Sequence, residues 1–291
     1  MAYETGVEWT DSTWPIVQGC DYESPGCTNC YAVPLIWRLA HNPNPKIAGP
    51  LQGLVESRNG KLVWTGKVAL REDRLSDPLT WTKPRKIFVP SHGDIFHDEV
   101  PDAFLDKIFA VMALCNHHTF QVLTKRPQRM RKYMRANTVR DCTLRAGSAW
   151  PLPNVWLGTS IEDQARANQR RHPMADLAGE GWLTWVSYEP ALERVDWINW
   201  GFLKWMVIGG ESGPNARLFH LSWMALALEW AQLRGIAVFD KQLGSNPRLQ
   251  QLTFKTKDRK GGDPAEWPAD LRIREFPASA PVSRSLEGAG R

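Results

Sequence analysis

Three of the five cysteines of this chain lie within eleven residues, at Cys20, Cys27 and Cys30 in the stretch GCDYESPGCTNCYA. Thiolates are soft ligands that suit zinc or iron–sulfur clusters. The acidic and polar N-terminal stretch MAYETGVEWTDS predicts no secretory leader. We therefore expect the chain in a reducing cytoplasm, where disulfides are rare and clustered cysteines are more often metal ligands. The spacing predicts a metal centre.

The fourth ligand of that centre is not evident from the residues. A structural zinc ion needs four protein ligands. Cys115 falls at a predicted helix end and is typical of a small core residue, Cys142 falls in a loop, and His41 is a candidate for completing a Cys3His site. A [4Fe–4S] cluster normally takes four thiolates, so three cysteines would leave one iron open, as in a catalytic centre. The residues alone are therefore compatible with either a zinc ion or an iron–sulfur cluster.

The remainder of the chain alternates between two kinds of segment. Continuous apolar runs of this length are typical of strands buried on both faces. The runs lie at 67–73, 86–94, 119–127, 154–163, 183–190, 204–213 and 236–244. Helical periodicity fills several gaps, most clearly at 101–114, 127–136 and 221–235. An eighth run, at 13–19, leads directly into the cysteines.

This alternation predicts an α/β fold with a parallel sheet, and eight strands over this length predict a TIM-type (β/α)8-like barrel, full or partial. We expect a single barrel domain over residues 1–245, with the cysteine loop at 19–32 and a loop insertion at about 41–62. Residues 246–291 predict an irregular C-terminal extension with a disordered end. The chain has 15 tryptophans, and those inside apolar runs, such as Trp156, Trp185 and Trp205, are expected in the core.

Polar side chains recur where the predicted strands end, and functional groups gather at these ends in parallel α/β proteins. They are Asp94, Lys125, Arg126, Ser160, Glu162, Glu189, Glu211, Ser212 and Lys241. The cysteine loop follows the first predicted strand and should open at the same edge of the sheet, so we expect one site. The alternative is that strand ends are polar because they face solvent.

Several segments together resemble a family of phage and bacterial three-cysteine proteins that are similar to radical S-adenosylmethionine enzymes. The resemblance covers nearly all of residues 7–270. Its motifs are EWTDSTWP, GC, SPGCTNCYA, FVPSHGDIFHDEVPD, TFQVLTKRP, NVWLGTSIED, VSYEPAL, VIGGESG and DKQLG. The cysteine spacing departs from the commonest CxxxCxxC pattern, because six residues separate Cys20 from Cys27 and the aromatic residue, Tyr31, follows Cys30.

The resemblance implies cofactors and an activity. It implies a [4Fe–4S] cluster on the three cysteines, with S-adenosylmethionine on the open iron. One electron, from a donor such as a flavodoxin or ferredoxin, would then split the sulfonium and release a 5′-deoxyadenosyl radical. A partner protein is a further expectation. Gly209, Gly210 and Glu211 are similar to the GGE element that holds the methionine amino group in such enzymes.

We expect the remaining site residues to divide between two roles. Catalysis is assigned to Lys125, Glu189 and Lys241. Cofactor contact is assigned to Tyr31, Asp94, Ser160, Glu162 and Ser212, together with the GGE residues.

The charge pattern bears on the substrate. The net charge is +5, and six basic residues lie within 125–135, which permits an anionic partner. A solvated helix face is the alternative for that basic segment. With the phage association that the resemblance implies, a nucleic-acid base or nucleotide is the leading substrate class, with DNA repair or modification as the activity. No apolar run approaches the roughly 20 residues of a membrane span.

Two other functions stay open. In one, zinc or a cluster only stabilises the loop of a nucleic-acid-binding protein. In the other, a non-redox hydrolase or transferase uses strand-end carboxylates such as Glu162, Glu189 and Glu211 as general bases.

Overall fold

The computed structural model describes residues 5–145 and 149–278. In chain order the strands are β1 (Ser12–Thr13), β2 (Val17–Gly19), β3 (Val55–Arg58), β4 (Lys61–Trp64), β5 (Ala69–Leu70), β6 (Lys86–Val89), β7 (His92–Gly93), β8 (Thr119–Thr124), β9 (Val155–Ser160), β10 (Leu183–Tyr188), β11 (Trp205–Gly209), β12 (Phe219–His220), β13 (Ala237–Gln242), β14 (Pro247–Leu249) and β15 (Leu252–Thr253).

A seven-stranded, all-parallel sheet in the order β1-β6-β8-β9-β10-β11-β13 forms the centre of the molecule. Within the described residues β1 and β13 are the edges of this sheet, so it curls into part of a barrel without closing. The predicted α/β class, the parallel sheet and the partial form of the predicted barrel are confirmed, and within residues 5–145 and 149–278 the sheet does not close into the full eight-stranded form.

Six of the seven predicted runs contain strands of the parallel sheet, and the run at 67–73 does not. It yields β5 alone, which pairs antiparallel with β2 in a small separate sheet. The predicted strand at 13–19 divides, because Ser12–Thr13 pairs with β6 whereas Val17–Gly19 lies in that small sheet. Since β1 occupies the position beside β6, the chain that returns at Ala69 pairs with β2 instead.

Helices follow several of the parallel strands and cover the outer face of the sheet. They are α1 (Ala32–Ala40), α2 (Pro45–Ala48), α3 (Asp102–Leu114), α4 (Pro127–Met134), α5 (Asn137–Arg145), α6 (Gln164–Gly179) and α7 (Leu221–Gln232). The predicted helices at 101–114, 127–136 and 221–235 are thus present. In α3, Phe104, Ile108 and Met112 recur at helical spacing and are buried in the main core. In the described ranges, no helix combines the length and apolar character that crossing a bilayer requires.

The concave inner face of the sheet carries a second core, which we call the tryptophan floor. It consists of Trp9, Phe88, Trp156, Trp185, Trp205, Val207 and Phe239. The rings of Trp185 and Trp205 lie 4.9 Å apart between centroids, and Trp9 closes over both. Gly158 stands opposite Trp185 in the β9–β10 register, and a Cβ there would lie 2.2 Å from the indole. The inner face therefore needs glycine at 158.

Two regions predicted as irregular contain regular elements. The insertion at 41–62 includes α2, β3 and the start of β4, and the loop prediction is wrong because apolar residues of this region, including Leu51 and Leu54, bury against Ile36 of α1. In the extension after 246, β14 pairs with β12 and β15, and Trp267 is buried in the main core. The predicted disordered end from 279 onward lies outside the described residues.

Substituting Gly158→Ala should lower the thermal unfolding midpoint, because the new methyl group would meet a rigid ring. Overpacking costs about 1–3 kcal/mol, and about 2–4 °C per kcal/mol follows for a chain of roughly this size. Gly179→Ala is the matched control, since nothing lies within 4 Å of the position of a Cβ there. Equal midpoints for both variants, measured by differential scanning calorimetry, would contradict the packing described for the tryptophan floor.

Candidate functional site

A cavity of about 440 Å³ lies at the carboxyl edge of the parallel sheet. Its walls come from the cysteine loop, from the ends of the strands and from the segment 6–9. Parallel strands bring their carboxyl ends to one edge, which explains why residues distant in sequence meet here.

Twelve of the fourteen predicted site residues line this one cavity. They are Cys20, Cys27, Cys30, Tyr31, Asp94, Lys125, Ser160, Glu189, Gly210, Glu211, Ser212 and Lys241. Glu162 is fully buried against the cysteine loop. A Cβ on Gly209 would lie 3.4 Å from the Glu189 carboxyl carbon, so Gly209 supports the wall rather than forming it.

The three loop cysteines are free thiols on the wall of the cavity. Burial and, after it, the nearby Asp94 carboxylate raise the pKa of Cys20 to about 12, because together they outweigh the lowering by Arg126. Burial also raises the pKa of Cys30. The thiols of Cys20 and Cys30 are therefore protonated in the metal-free chain, and a metal must displace those protons to bind.

Three free thiols are ligands of the type that an iron–sulfur cluster takes, and they would leave one iron without a thiolate. Within 5–145 and 149–278, no group of three or more His, Cys, Asp or Glu side chains is arranged to hold one metal ion. Lys125 and Arg126 line the cavity with the thiols and would offset thiolate charge.

Other candidates for a fourth ligand lie elsewhere. His41 is exposed at the end of α1, with Nδ1 2.8 Å from the Trp37 carbonyl oxygen. Cys115 is buried in the main core, as expected. The side chain of Cys142 lies outside the described part of the structure.

Glu162 anchors the cysteine loop from the end of β9. Its carboxylate accepts a hydrogen bond of 2.7 Å from the Ser24 hydroxyl and pairs at 2.9 Å with the buried Arg170. Gly26 packs so closely on it that a Cβ would lie 2.6 Å from Oε1. A residue predicted to contact cofactor therefore holds the loop in place.

Glu211, the acidic residue of the GGE element, forms a second anchor, which we call the Arg217 clamp. Its carboxylate accepts bonds from the Arg217 guanidinium at 2.5 and 2.9 Å and from the Asn29 amide at 3.0 Å. Arg217 also donates to the Pro25 carbonyl of the loop at 3.0 Å. Burial raises the pKa of Glu211, but the hydrogen bonds from Arg217 and Asn29 outweigh it and hold that pKa below its ordinary value.

Sequence reasoning missed Arg217 because it lies in an irregular segment with no motif around it. The one available signal was its proximity to GGESG, six residues after Glu211.

A third anchor runs from β8 through Arg126. Asp94 accepts hydrogen bonds from Thr124 and from the Lys125 amide, and it pairs with Arg126 at 3.1 Å. Arg126 also pairs with Asp21 of the loop, and its Nη1 lies 3.9 Å from Cys20 Sγ. The predicted carboxylate Asp94 thus orients the arginine that faces the first cysteine.

Other charged groups face the cavity with fewer partners. Lys241 and Glu189 form an ion pair of 2.6 Å. Lys125 donates to Ser160 at 3.2 Å and lies 3.7 Å from Glu162. Burial has the largest effect and disfavours its ammonium, but the combined attraction of nearby groups, with Glu162 first among them, outweighs burial and raises the pKa of Lys125, so it stays cationic. The lining therefore offers cations to an anionic group.

Two aromatic side chains at the cavity present ring surface. The Tyr31 hydroxyl donates to the Ser91 carbonyl at 2.6 Å, while 58% of the residue stays exposed. Trp64, at the end of β4, also lines the cavity and is half-buried. Tyr31 therefore offers an exposed ring to a bound group, whereas part of the Trp64 side chain packs against the core beside α1.

The basic segment 125–135 is largely neutralised inside the protein. Arg126 and Lys125 belong to the site. The guanidinium groups of α4 and of the residue after it pair with acids of α3, of α6 and of the residue after α6. The pairs are Arg129 with Asp102, Arg131 with Asp176, and Arg135 with Glu180. These ion pairs favour the interpretation of α4 as a structural helix over one that contacts phosphates.

The matching protein-family model is described as "Protein of unknown function (DUF5131)" and spans residues 4–267. The chain belongs to this family. A search of curated proteins gave no match.

Several solved structures are similar to the chain over part of their length. A double mutant of spore photoproduct lyase with bound AdoMet and dinucleoside spore photoproduct overlays with a TM-score of 0.42 at 11% identity, covering 72% of this chain and 58% of that one. The same lyase complexed with dinucleoside spore photoproduct gives the same values. A single mutant of it overlays over 80% of this chain and 54% of its own, at 11% identity and a TM-score of 0.42. The chain thus spans little more than half the length of these proteins, and a TM-score of 0.42 does not establish a shared fold.

Breaking the Arg217 clamp should loosen the cysteine loop. In metal-free protein, Arg217→Ala should raise the rate at which a maleimide labels the loop thiols by about tenfold or more, since each hydrogen bond to a charged group is worth about 1.5–3 kcal/mol. Mass spectrometry of the labelled peptides measures this rate. Arg194→Ala, at an exposed position, is the control. Unchanged labelling in Arg217→Ala would show that the clamp does not hold the loop.

Proposed function

We propose that the protein is an iron–sulfur enzyme of the radical S-adenosylmethionine type. Cys20, Cys27 and Cys30 would hold a [4Fe–4S] cluster, and the adjoining cavity would hold S-adenosylmethionine. The observation that carries the proposal is that three free thiols open onto the same cavity as the charged ends of the parallel strands. A centre with three thiolates in a cavity of this size leaves room for a ligand at the metal.

When bound and reduced, such a cluster supplies the electron that cleaves S-adenosylmethionine into methionine and a 5′-deoxyadenosyl radical. The chain's own residues would bind S-adenosylmethionine and shield the reaction from water. Lys125 and Lys241 offer cations to a carboxylate. Gly210 lines the cavity, and its backbone packs tightly against that of Leu243, since a Cβ on Gly210 would lie 2.4 Å from the Leu243 carbonyl oxygen. Trp9 and Phe88 close the bottom of the cavity and exclude water.

For the substrate we propose a nucleic-acid base or nucleotide. The lining combines the rings of Tyr31 and Trp64 with the cations Lys125 and Lys241. Rings stack on the faces of bases, and cations receive phosphate. Glu189 lies 2.6 Å from Lys241 and could accept a proton from a bound group. The reducing electron would come from a separate donor such as a flavodoxin or ferredoxin.

The non-redox alternative has less support from the geometry. Glu162 and Glu211, two of its three candidate general bases, already accept bonds from Ser24, Arg170, Arg217 and Asn29. Glu189 remains on the cavity wall, paired with Lys241. General-base catalysis by Glu162 or Glu211 would require breaking the anchors of the cysteine loop.

Anaerobic reconstitution with iron and sulfide tests the proposal on the wild type, on Cys27→Ala and on Cys115→Ala. We expect Cys27→Ala to lose most of the bound iron and sulfide and all reductive formation of 5′-deoxyadenosine. The control Cys115→Ala should keep both, because its thiol lies in the core away from the cavity. Elemental analysis and mass spectrometry of the nucleoside product provide the readouts.

Two other results of this experiment would contradict the proposed ligands or the proposed role of the cluster. Full iron and sulfide in Cys27→Ala would show that the ligand set is wrong. A loaded wild type that leaves S-adenosylmethionine intact under reduction would point to a cluster that only stabilises the loop.

A further inference from the structure

An exposed cationic segment lies after the last strand. Four basic side chains occupy residues 255–260 of the sequence KTKDRK, and we call them the cationic rim: Lys255, Lys257, Arg259 and Lys260. All four are exposed. In the part of the chain that the structure describes, none of the four forms an ion pair, whereas the arginines of α4 are paired with acids.

The backbone beneath the cationic rim is fixed. The Arg259 carbonyl accepts a hydrogen bond of 2.6 Å from the Ser245 hydroxyl. The Gly261 carbonyl accepts bonds from the Leu243 amide at 2.8 Å and the Trp267 indole at 2.9 Å. The amide of Lys257 donates to the Glu266 carboxylate. Because this backbone is already ordered, the binding of an anion to the unpaired cations has only a small further cost in conformational entropy.

The one acidic side chain of the segment does not neutralise its cations. Asp258 accepts hydrogen bonds from the Gly262 amide at 2.5 Å and the Lys260 amide at 3.3 Å. It shapes the turn, and the four cations keep a shared excess of positive charge.

The cationic rim stands at the mouth of the cavity. Lys260 is itself a lining residue. The segment hydrogen-bonds to residues that follow β13, and Ser245 also accepts from the Gly213 amide after β11, so it lies at the same carboxyl edge. A charged chain lying on the rim would therefore pass directly over the opening.

We propose that the cationic rim binds the phosphate backbone of a single-stranded nucleic acid whose base enters the cavity. The inference rests on the proposed function for the fate of that base, and it narrows the substrate from a free nucleotide to a strand. Four cations exceed what the phosphate of one nucleotide requires. Aromatic rings beside a cationic surface are the combination with which proteins bind single strands. The exposed Tyr31 and the half-buried Trp64 supply those rings at the cavity.

Fluorescence anisotropy with a labelled oligothymidylate tests this on the full metal-free chain. For Lys257→Ala/Lys260→Ala, we expect weaker binding and a slope of log K against log salt that is smaller by about 1.4, because each single-strand phosphate contact contributes about 0.7. The matched control is Lys83→Ala/Lys204→Ala, which removes the same charge at exposed positions preceding β6 and β11, at the opposite edge of the sheet. It should keep the wild-type slope.

Further outcomes decide between nucleic acid and other anions. Lys257→Arg/Lys260→Arg should retain binding, which separates lost charge from lost folding. Equal slopes for the rim variant and the control would overturn the proposal. The proposal would also be overturned if polyglutamate or thymidine monophosphate displaced the labelled oligonucleotide as effectively as an unlabelled strand does.

The test is independent of the metal chemistry. If the protein binds the strand but does not cleave S-adenosylmethionine, the proposed reaction is rejected and strand binding by the cationic rim is supported. If the protein cleaves S-adenosylmethionine but binds no strand, the proposed reaction is supported and strand binding by the cationic rim is rejected.

Discussion

The attachment of the cysteine loop to the strand ends is the interaction on which the rest of the site depends. The loop has little regular structure, and its three thiols face a common cavity because Glu162, Arg126 and the Glu211–Arg217 pair hold its backbone and side chains. Each of these anchors is at least partly buried, so its bonds are protected from water and the loss of one partner would leave a costly unpaired charge. The geometry of the thiols is thus set by charges that need not touch a ligand.

The parallel sheet supplies both the floor and the walls. Large aromatic side chains fill the lower part of its concave face, where Gly158 makes room for Trp185. Smaller residues follow at the upper end, including Ser160 opposite Ser187 in the register, and they leave the cavity open. The charged residues come last, where the strands end. The order of residue sizes along the strands therefore places a water-excluding base under a polar opening.

Much of this arrangement follows from sequence pattern. The apolar runs predicted six of the seven central strands, and the polar residues after them do converge, because parallel strands must end at one edge. The predicted strand at 13–19 is divided, and Ala69 pairs with β2, because β1 occupies the edge of the sheet beside β6. The periodicity of apolar residues does not show which segment takes that edge. Arg217 and the anchoring contacts of Glu162 could not be predicted, because they join residues far apart in sequence with no local signal.

The most direct measurement is electron paramagnetic resonance of the reconstituted, reduced protein with and without S-adenosylmethionine. The account predicts a reduced [4Fe–4S] signal that changes when S-adenosylmethionine is added, because the three-cysteine centre opens onto the cavity that receives it. A protein that forms no cluster, or a cluster whose signal is the same in both spectra, would contradict it.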